Sequence, residues 1–157
     1  MNDFHRLMED LGKLLDITLI PDKHHACVLN FEDEISVQLE ADSSRHALTL
    51  ATIIGEIPAG KFRELMLSMG LKYNALYPRA GTFAYRTNEN QLVFFFQLPL
   101  ENLQPETIEE ALPPFIEKAK VWKESLSRGA IPPLEAPEAK KKPSLFDLKP
   151  GKKPEGL

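Results

Sequence analysis

Residues 26–54 read Ala-Cys-Val-Leu-Asn-Phe-Glu-Asp-Glu-Ile-Ser-Val-Gln-Leu-Glu-Ala-Asp-Ser-Ser-Arg-His-Ala-Leu-Thr-Leu-Ala-Thr-Ile-Ile. This stretch decides the fold class. Ile35, Val37 and Leu39 alternate with Ser36, Gln38 and Glu40, the period of a strand with one face buried. Residues 26–31 before it are rich in strand formers, and Glu32-Asp33-Glu34 supplies the turn between them. Asp42-Ser43-Ser44 makes a second turn, since short polar side chains bond their own backbone there. Residues 46–54 form a third strand. Such short links join strands only as antiparallel neighbours, so the stretch is a meander.

Outward toward the N-terminus, Phe4, Leu7, Met8, Leu11, Leu14 and Leu15 follow Asp3 at helical spacing. This predicts an amphipathic helix over 3–15 capped by Asp3. Residues 17–20 read as a short extra strand that stops at Pro21-Asp22. Outward toward the C-terminus, Pro58 marks a helix start, and Phe62, Leu65, Met66 and Met69 share one face of a helix from about residue 59 to 70 or beyond. Residues 71–78 read equally as frayed helix or loop. Thr82–Arg86 and Gln91–Leu98 form a hairpin around Thr87-Asn88-Glu89-Asn90. Pro105-Glu106 opens a last helix whose stripe is Ile108, Leu112, Phe115, Ile116, Ala119 and Trp122, with a kink expected at Pro113-Pro114. The order is α-β-β-β-α-β-β-α. The class is α+β, a twisted antiparallel sheet with helices packed against it.

The chain of 157 residues accommodates one domain plus a tail. Residues 131–157 hold six of the 13 prolines and a net charge of +2, while residues 1–130 carry −6. The tail has too few large apolar residues to offset its ordering entropy, so 1–130 is expected to be globular and 131–157 disordered. Within that tail, Leu145, Phe146 and Leu148 cluster among lysines and prolines, the pattern of a short motif that orders on contact. A net charge of −4 argues against a nucleic-acid binder driven by a basic face. One cysteine excludes an intramolecular disulfide and suits a reducing compartment. The N-terminal residues show no leader pattern, and no apolar run approaches the ~18 residues of a membrane span. A cytoplasmic protein without membrane insertion is expected.

Catalytic patterns are weak. His24, His25 and Cys27 are the densest ligand group, but adjacent strand residues point to opposite faces, so a metal site is not expected. Asp42, Ser43, Ser44 and His46 hold the letters of a triad without the strand-to-helix elbow that would present a nucleophile. Glu109, Glu110 and Glu117 read as a solvated helical face. Gly55, Gly60, Gly70 and Gly81 form no phosphate loop. No enzyme activity, cofactor or metal is expected. Met66 and Met69 mark the middle helix as a candidate homodimer surface, because Met adapts readily at interfaces.

The sequence of elements resembles the class I type III secretion chaperones, the Tir-chaperone (CesT/SycE-like) family. The likeness rests on Leu15-Asp16-Ile17-Thr18-Leu19 after the opening helix, on residues 62–74 as a central helix and its exit, on Ala80-Gly81-Thr82-Phe83-Ala84-Tyr85, on residues 91–100 as the long strand, and on residues 115–123 in the last helix. It spans about 3–127. Ala75-Leu76-Tyr77-Pro78-Arg79 is bulkier than the Gly-rich link common in that family, and the tail is longer.

The resemblance implies a bacterial cytoplasmic homodimer that holds the extended N-terminal segment of secreted effector proteins, keeping them soluble and competent for export. A secretion ATPase or sorting platform is a further implied partner. The implied dimer surface is Phe62, Leu65, Met66, Met69, Phe83 and Tyr85, and the expected effector-binding residues are Phe4, Leu7, Ile17, Leu19, Ile35, Val37 and Leu39. Two other readings compete. One is a small-molecule-binding α+β domain, with a pocket between sheet and last helix. The other is an adaptor acting through Leu145, Phe146 and Leu148.

Overall fold

The structure, a computed structural model, describes residues 2–31 and 35–134. Met1, Glu32-Asp33-Glu34, where the sequence predicts a turn, and residues 135–157, including Leu145, Phe146 and Leu148, lie outside the described residues. The elements follow the expected order: α1 (Asn2–Leu15), β1 (Ala26–Phe31), β2 (Ile35–Asp42), β3 (Ala47–Glu56), α2 (Lys61–Asn74), β4 (Thr82–Arg86), β5 (Gln91–Pro99) and α3 (Pro105–Ser127). The strands form one antiparallel sheet in the order β1-β2-β3-β5-β4. The chain therefore leaves β3, passes through α2, forms the outer strand β4, and returns as β5 beside β3.

Strand alternation divides the sheet into two unlike faces. On one face lie Ile35, Val37 and Leu39 of β2, Leu48, Leu50 and Ile54 of β3, and Leu92 and Phe94 of β5, all buried. Register confirms the grouping, because directly opposed residues share a face: Leu50 opposes Phe96, Thr52 opposes Phe94, and Phe83 also opposes Phe94. Helix α3 crosses this face with Ile108, Leu112, Phe115, Ala119 and Trp122 buried. Those positions step by four and three residues, the stripe of a helix lying on a core. Aromatic rings join helix to sheet. Trp122 lies 4.0 Å from Phe83, Phe83 4.5 Å from Phe94, and Phe94 4.9 Å from Phe115, centroid to centroid. Helix α1 packs against α3 and inserts Phe4, Met8 and Leu11.

Helix α2 stands at the β4 end of the sheet and buries Met66, Gly70 and Tyr73. The Asn74 side chain clamps the edge strand. Its Nδ2 donates to the Phe83 carbonyl (2.9 Å), and its Oδ1 accepts from the Phe83 N–H (2.8 Å). The Tyr73 hydroxyl accepts the Ala80 N–H at 3.0 Å. Gly81 is required by close approach, since a Cβ there would sit 2.7 Å from Phe94 Cζ and 2.8 Å from the Phe95 carbonyl oxygen.

Three local expectations change. Residues 17–20 form no strand. The Ile17 N–H donates to the Gly12 carbonyl at 2.9 Å, so the chain doubles back on α1 instead of joining the sheet. Helix α2 begins after Gly60 and runs on to Asn74, which settles the ambiguous stretch as helix followed by a loop with a cis Tyr77–Pro78 bond. Helix α3 continues through Pro113 and Pro114. Both prolines face solvent, where water can satisfy the carbonyls they leave unpaired. At the C-terminal end, Pro132 is buried and Ile131 and Leu134 pack partly against the core.

Adjacent phenylalanines test the division into faces. Phe94→Ala is expected to cost about 3–5 kcal/mol, the usual penalty for emptying a buried aromatic site, and Phe95→Ala clearly less. Urea unfolding followed by circular dichroism measures both.

Candidate functional site

Among the described residues no helix covers the second face of the sheet. The helical contacts fall on the β2, β3 and β4 sides already described, and alternation sends Val28, Gln38, Ala51, Ile53, Val93 and Phe95 outward. Several of these are apolar, so the face has the floor of a groove. A depression of about 640 Å³ runs over it, lined among others by Val28, Ala51, Ile53, Val93 and Phe95, with Arg86 and Lys123 supplying positive charge. Val28 is 53% and Ile53 46% exposed. The bulge between Ile53 and Gly55 bends β3 at the end of this groove, as an extra residue in a ladder does.

A second apolar strip lies where α1 turns into the following segment. Leu14, Ile17 and Ile20 are exposed, Ile20 by 79%, while Leu7, Leu15 and Leu19 are half-buried against the core. Gly12 makes the strip possible. A Cβ there would sit 2.7 Å from the Ile17 carbonyl oxygen, so any larger residue would push residues 17–20 off the helix. The strip precedes β1, which among the described strands is an edge with β2 on one side.

A third surface is the outer side of α2. Leu65 (44%) and Leu71 (71%) project from it, and Tyr77 (86%) follows in the next loop. Leu67, Gly70, Leu71, Phe83, Ala84 and Tyr85 line a shallow depression of about 160 Å³ between α2 and β4.

The model of the Tir chaperone protein (CesT) family matches residues 6–123, from within α1 to the last turns of α3. The chain belongs to the Tir chaperone protein (CesT) family. Its fold is shared with solved structures at low identity. The HopA1–SchA chaperone–effector complex contains a chain with TM-score 0.65 and 20% identity, covering 78% of this chain and 95% of that one. The ExsC–ExsE complex gives TM-score 0.62 and 18% identity, covering 80% and 94%. The ExoT–SpcS complex from Pseudomonas aeruginosa gives TM-score 0.59 and 15% identity, covering 76% and 97%. Among curated proteins no sequence matches.

In this Tir chaperone family member the residues expected to bind effector separate into two groups. Ile17 is exposed, and Leu7 and Leu19 are half-buried beside it on the strip. Phe4, Ile35, Val37 and Leu39 are at most 2% exposed. Alternation places the three β2 residues on the face under the helices. The expected dimer residues divide the same way. Leu65 projects outward, Phe62, Met69 and Tyr85 are half-buried, and Met66 and Phe83 are enclosed in the protomer. Sequence reasoning passed over Ile20, Val28, Ile53, Phe95, Leu71 and Tyr77. The available signal was an apolar residue at an outward strand position, as at Val28 opposite Gln38.

The polar groups do structural work. The Asp22 carboxylate accepts the backbone N–H groups of His24 (2.8 Å) and Ala26 (3.1 Å), and these bonds hold it below the usual carboxylate range. Asp42 accepts the Ser44 hydroxyl at 2.6 Å, which with the Arg45 and Ser44 backbone N–H groups lowers its pKa. Both carboxyls are depressed in the folded state, so their stabilisation is complete above pH 3.8, their ordinary value, and is lost as pH falls through the folded pKa. Among the described residues no group of three His, Cys, Asp or Glu could hold a metal ion. Cys27 is buried with its Sγ 3.3 Å from Met8 Sδ. Burial, aided by the Asp22 charge, raises its thiol to about 11.

Native protein at pH 8 is therefore expected to react with an aromatic disulfide reagent at least tenfold more slowly than the same protein in denaturant, since the thiolate is the nucleophile. Absorbance of the released thiol reads both rates.

Proposed function

We propose that the protein is a type III secretion chaperone that acts as a homodimer in the bacterial cytoplasm and binds the extended N-terminal segment of a secreted effector. The observation that carries this reading is the family match over residues 6–123. Its structural relatives come from two-protein complexes, one of them a chaperone–effector complex, which supports effector as the class of partner. The chemistry is holding rather than catalysis. A secretion ATPase or sorting platform would then receive the loaded dimer.

Physical features of the surfaces support a division of labour. The outer side of α2 suits the dimer contact, because Leu65, Leu71 and Tyr77 expose apolar area beside the Tyr85 depression. The strip of Leu14, Ile17, Leu19 and Ile20 suits cargo, because the chain runs from it through Pro21 and Asp22 into β1, an edge among the described strands. An extended cargo segment can pair its backbone with such an edge and lay alternate side chains on the neighbouring apolar surface. Phe4, Ile35, Val37 and Leu39 act beneath this surface, keeping it rigid. Edge β4 is less suited to strand addition, since Asn74 already occupies both backbone groups of Phe83. Cargo held extended pays its ordering entropy on contact, so a long interface of many modest contacts is expected.

Two double variants test the division. Leu65→Asp with Leu71→Asp is expected to convert a species of about twice 17.7 kDa into a monomer, read by light scattering. Ile17→Asp with Ile20→Asp is expected to keep the dimer and change stability by no more than ~1 kcal/mol, as for exposed substitutions. It should lose at least tenfold in the effector recovered when the protein is purified from its own cells. Wild-type protein that is monomeric and recovers no secreted protein overturns the proposal.

A further inference from the structure

The groove on the uncovered sheet face remains unassigned by the chaperone reading. We propose that it is the docking site for this chain's own segment Ser144–Leu148, with Phe146 and Leu148 on the floor formed by Val28, Ala51, Ile53, Val93 and Phe95. The proposal goes beyond the chaperone function and does not require it.

Chain origin is the first argument. The tail departs from the end of α3, and that end borders the groove. Lys123, one turn before that end, lines it. The chain then stays near the body as far as Leu134, which packs partly against the core.

Reach is the second. Leu145 follows Leu134 by about eleven residues, a span of ~36 Å fully extended and roughly 18 Å relaxed. Crossing from β5 to β1 takes three strand spacings, about 14 Å. The tether is thus neither too short to cross the floor nor so long that it dilutes the segment. A linker of this kind gives an effective concentration on the order of millimolar, so even a weak contact is occupied.

Chemistry is the third. In an extended segment Phe146 and Leu148 point to one side, and Asp147 points to the other. Pro150 biases Lys149, the residue after Leu148, toward extended backbone. Two apolar side chains would cover the floor while Asp147 stays within the field of Arg86 and Lys123 at the groove. The Arg86 pair with Glu89 (3.4 Å) is solvent-exposed, so redirecting it costs little. The net charges of the two parts, −6 for residues 1–130 and +2 for residues 131–157, add a general attraction.

The test is methyl NMR on the full chain, comparing wild type with Phe146→Ala and, as a control in the same tail, Lys152→Ala. Val28, Ala51, Ile53 and Val93 methyl signals are expected to shift with Phe146→Ala and stay in place with Lys152→Ala. Core methyls of Leu29 and Leu50 should not move. The shifts should be the same after tenfold dilution, and they should vanish when the comparison is repeated in a Phe95→Ser background. Unmoved sheet-face methyls overturn the proposal. So do shifts centred on Leu65 and Leu71 of α2, which place the segment elsewhere, and shifts that fade on dilution, which place it on another copy of the protein.

Discussion

The contact on which the rest of the molecule depends is the run of aromatic rings from Trp122 through Phe83 and Phe94 to Phe115. It draws together one helix, the edge strand β4 and the inner strand β5, which come from separate parts of the chain. Each ring is almost fully excluded from water, and each removes a large apolar area as well as gaining ring–ring contact. Because α3 is fixed there, α1 has a surface to lie on and α2 has a strand to stand against. Close packing at this point also explains Gly81, where no side chain fits between β4's start and the Phe94 ring.

Gathering the helices on one face has a cost on the other. A five-stranded sheet has two faces and two edges, and the helices supply enough apolar surface for one face only. What is left uncovered is not a uniformly polar surface of the kind antiparallel sheets often turn to water. Val28, Ile53, Val93 and Phe95 are there. The edges are unequal as well. Asn74 closes part of β4 with two hydrogen bonds, which limits unwanted strand pairing at that end, whereas among the described residues no further strand lies beyond β1. The apolar surface is thus divided into separate patches, on the sheet face, beside β1 and along α2, and each patch has its own neighbouring polar groups.

Much of the architecture was legible because each element carries one strong period. Ile35, Val37 and Leu39 can alternate only as a strand, and Ile108, Leu112, Phe115, Ala119 and Trp122 can share a face only as a helix. The element order followed from these periods and from the turn residues. Direction was less legible than type. Period-two alternation says that Ile35, Val37 and Leu39 share a face but not that this face is the one under α3, so they were expected at the cargo surface although the core encloses them. In the run Val93-Phe94-Phe95-Phe96 both faces are apolar, and pattern alone cannot choose which is outward. The stretch 17–20 was misread for a related reason. Its β-branched residues have strand propensity, but the bond from Ile17 to Gly12 sends it along α1, a tertiary preference that outweighs the local one.

These features bear on how a small protein can present apolar area and stay dissolved. Continuous patches of more than a few hundred Å² tend to become interfaces, and an extended, unfolded partner segment needs such a surface to be hidden from aggregation. Dispersing the area over separate patches keeps each smaller than one continuous patch of the same total area. The acidic balance of residues 1–130 adds repulsion between copies at long range. A partner segment that is itself extended can visit more than one patch, because it is not constrained to the flatness of a folded surface, and so gains contacts that a second folded copy cannot reach. Selectivity for unfolded chains over folded ones can thus follow from the spacing of the patches, without a closed pocket and without chemical energy to drive binding.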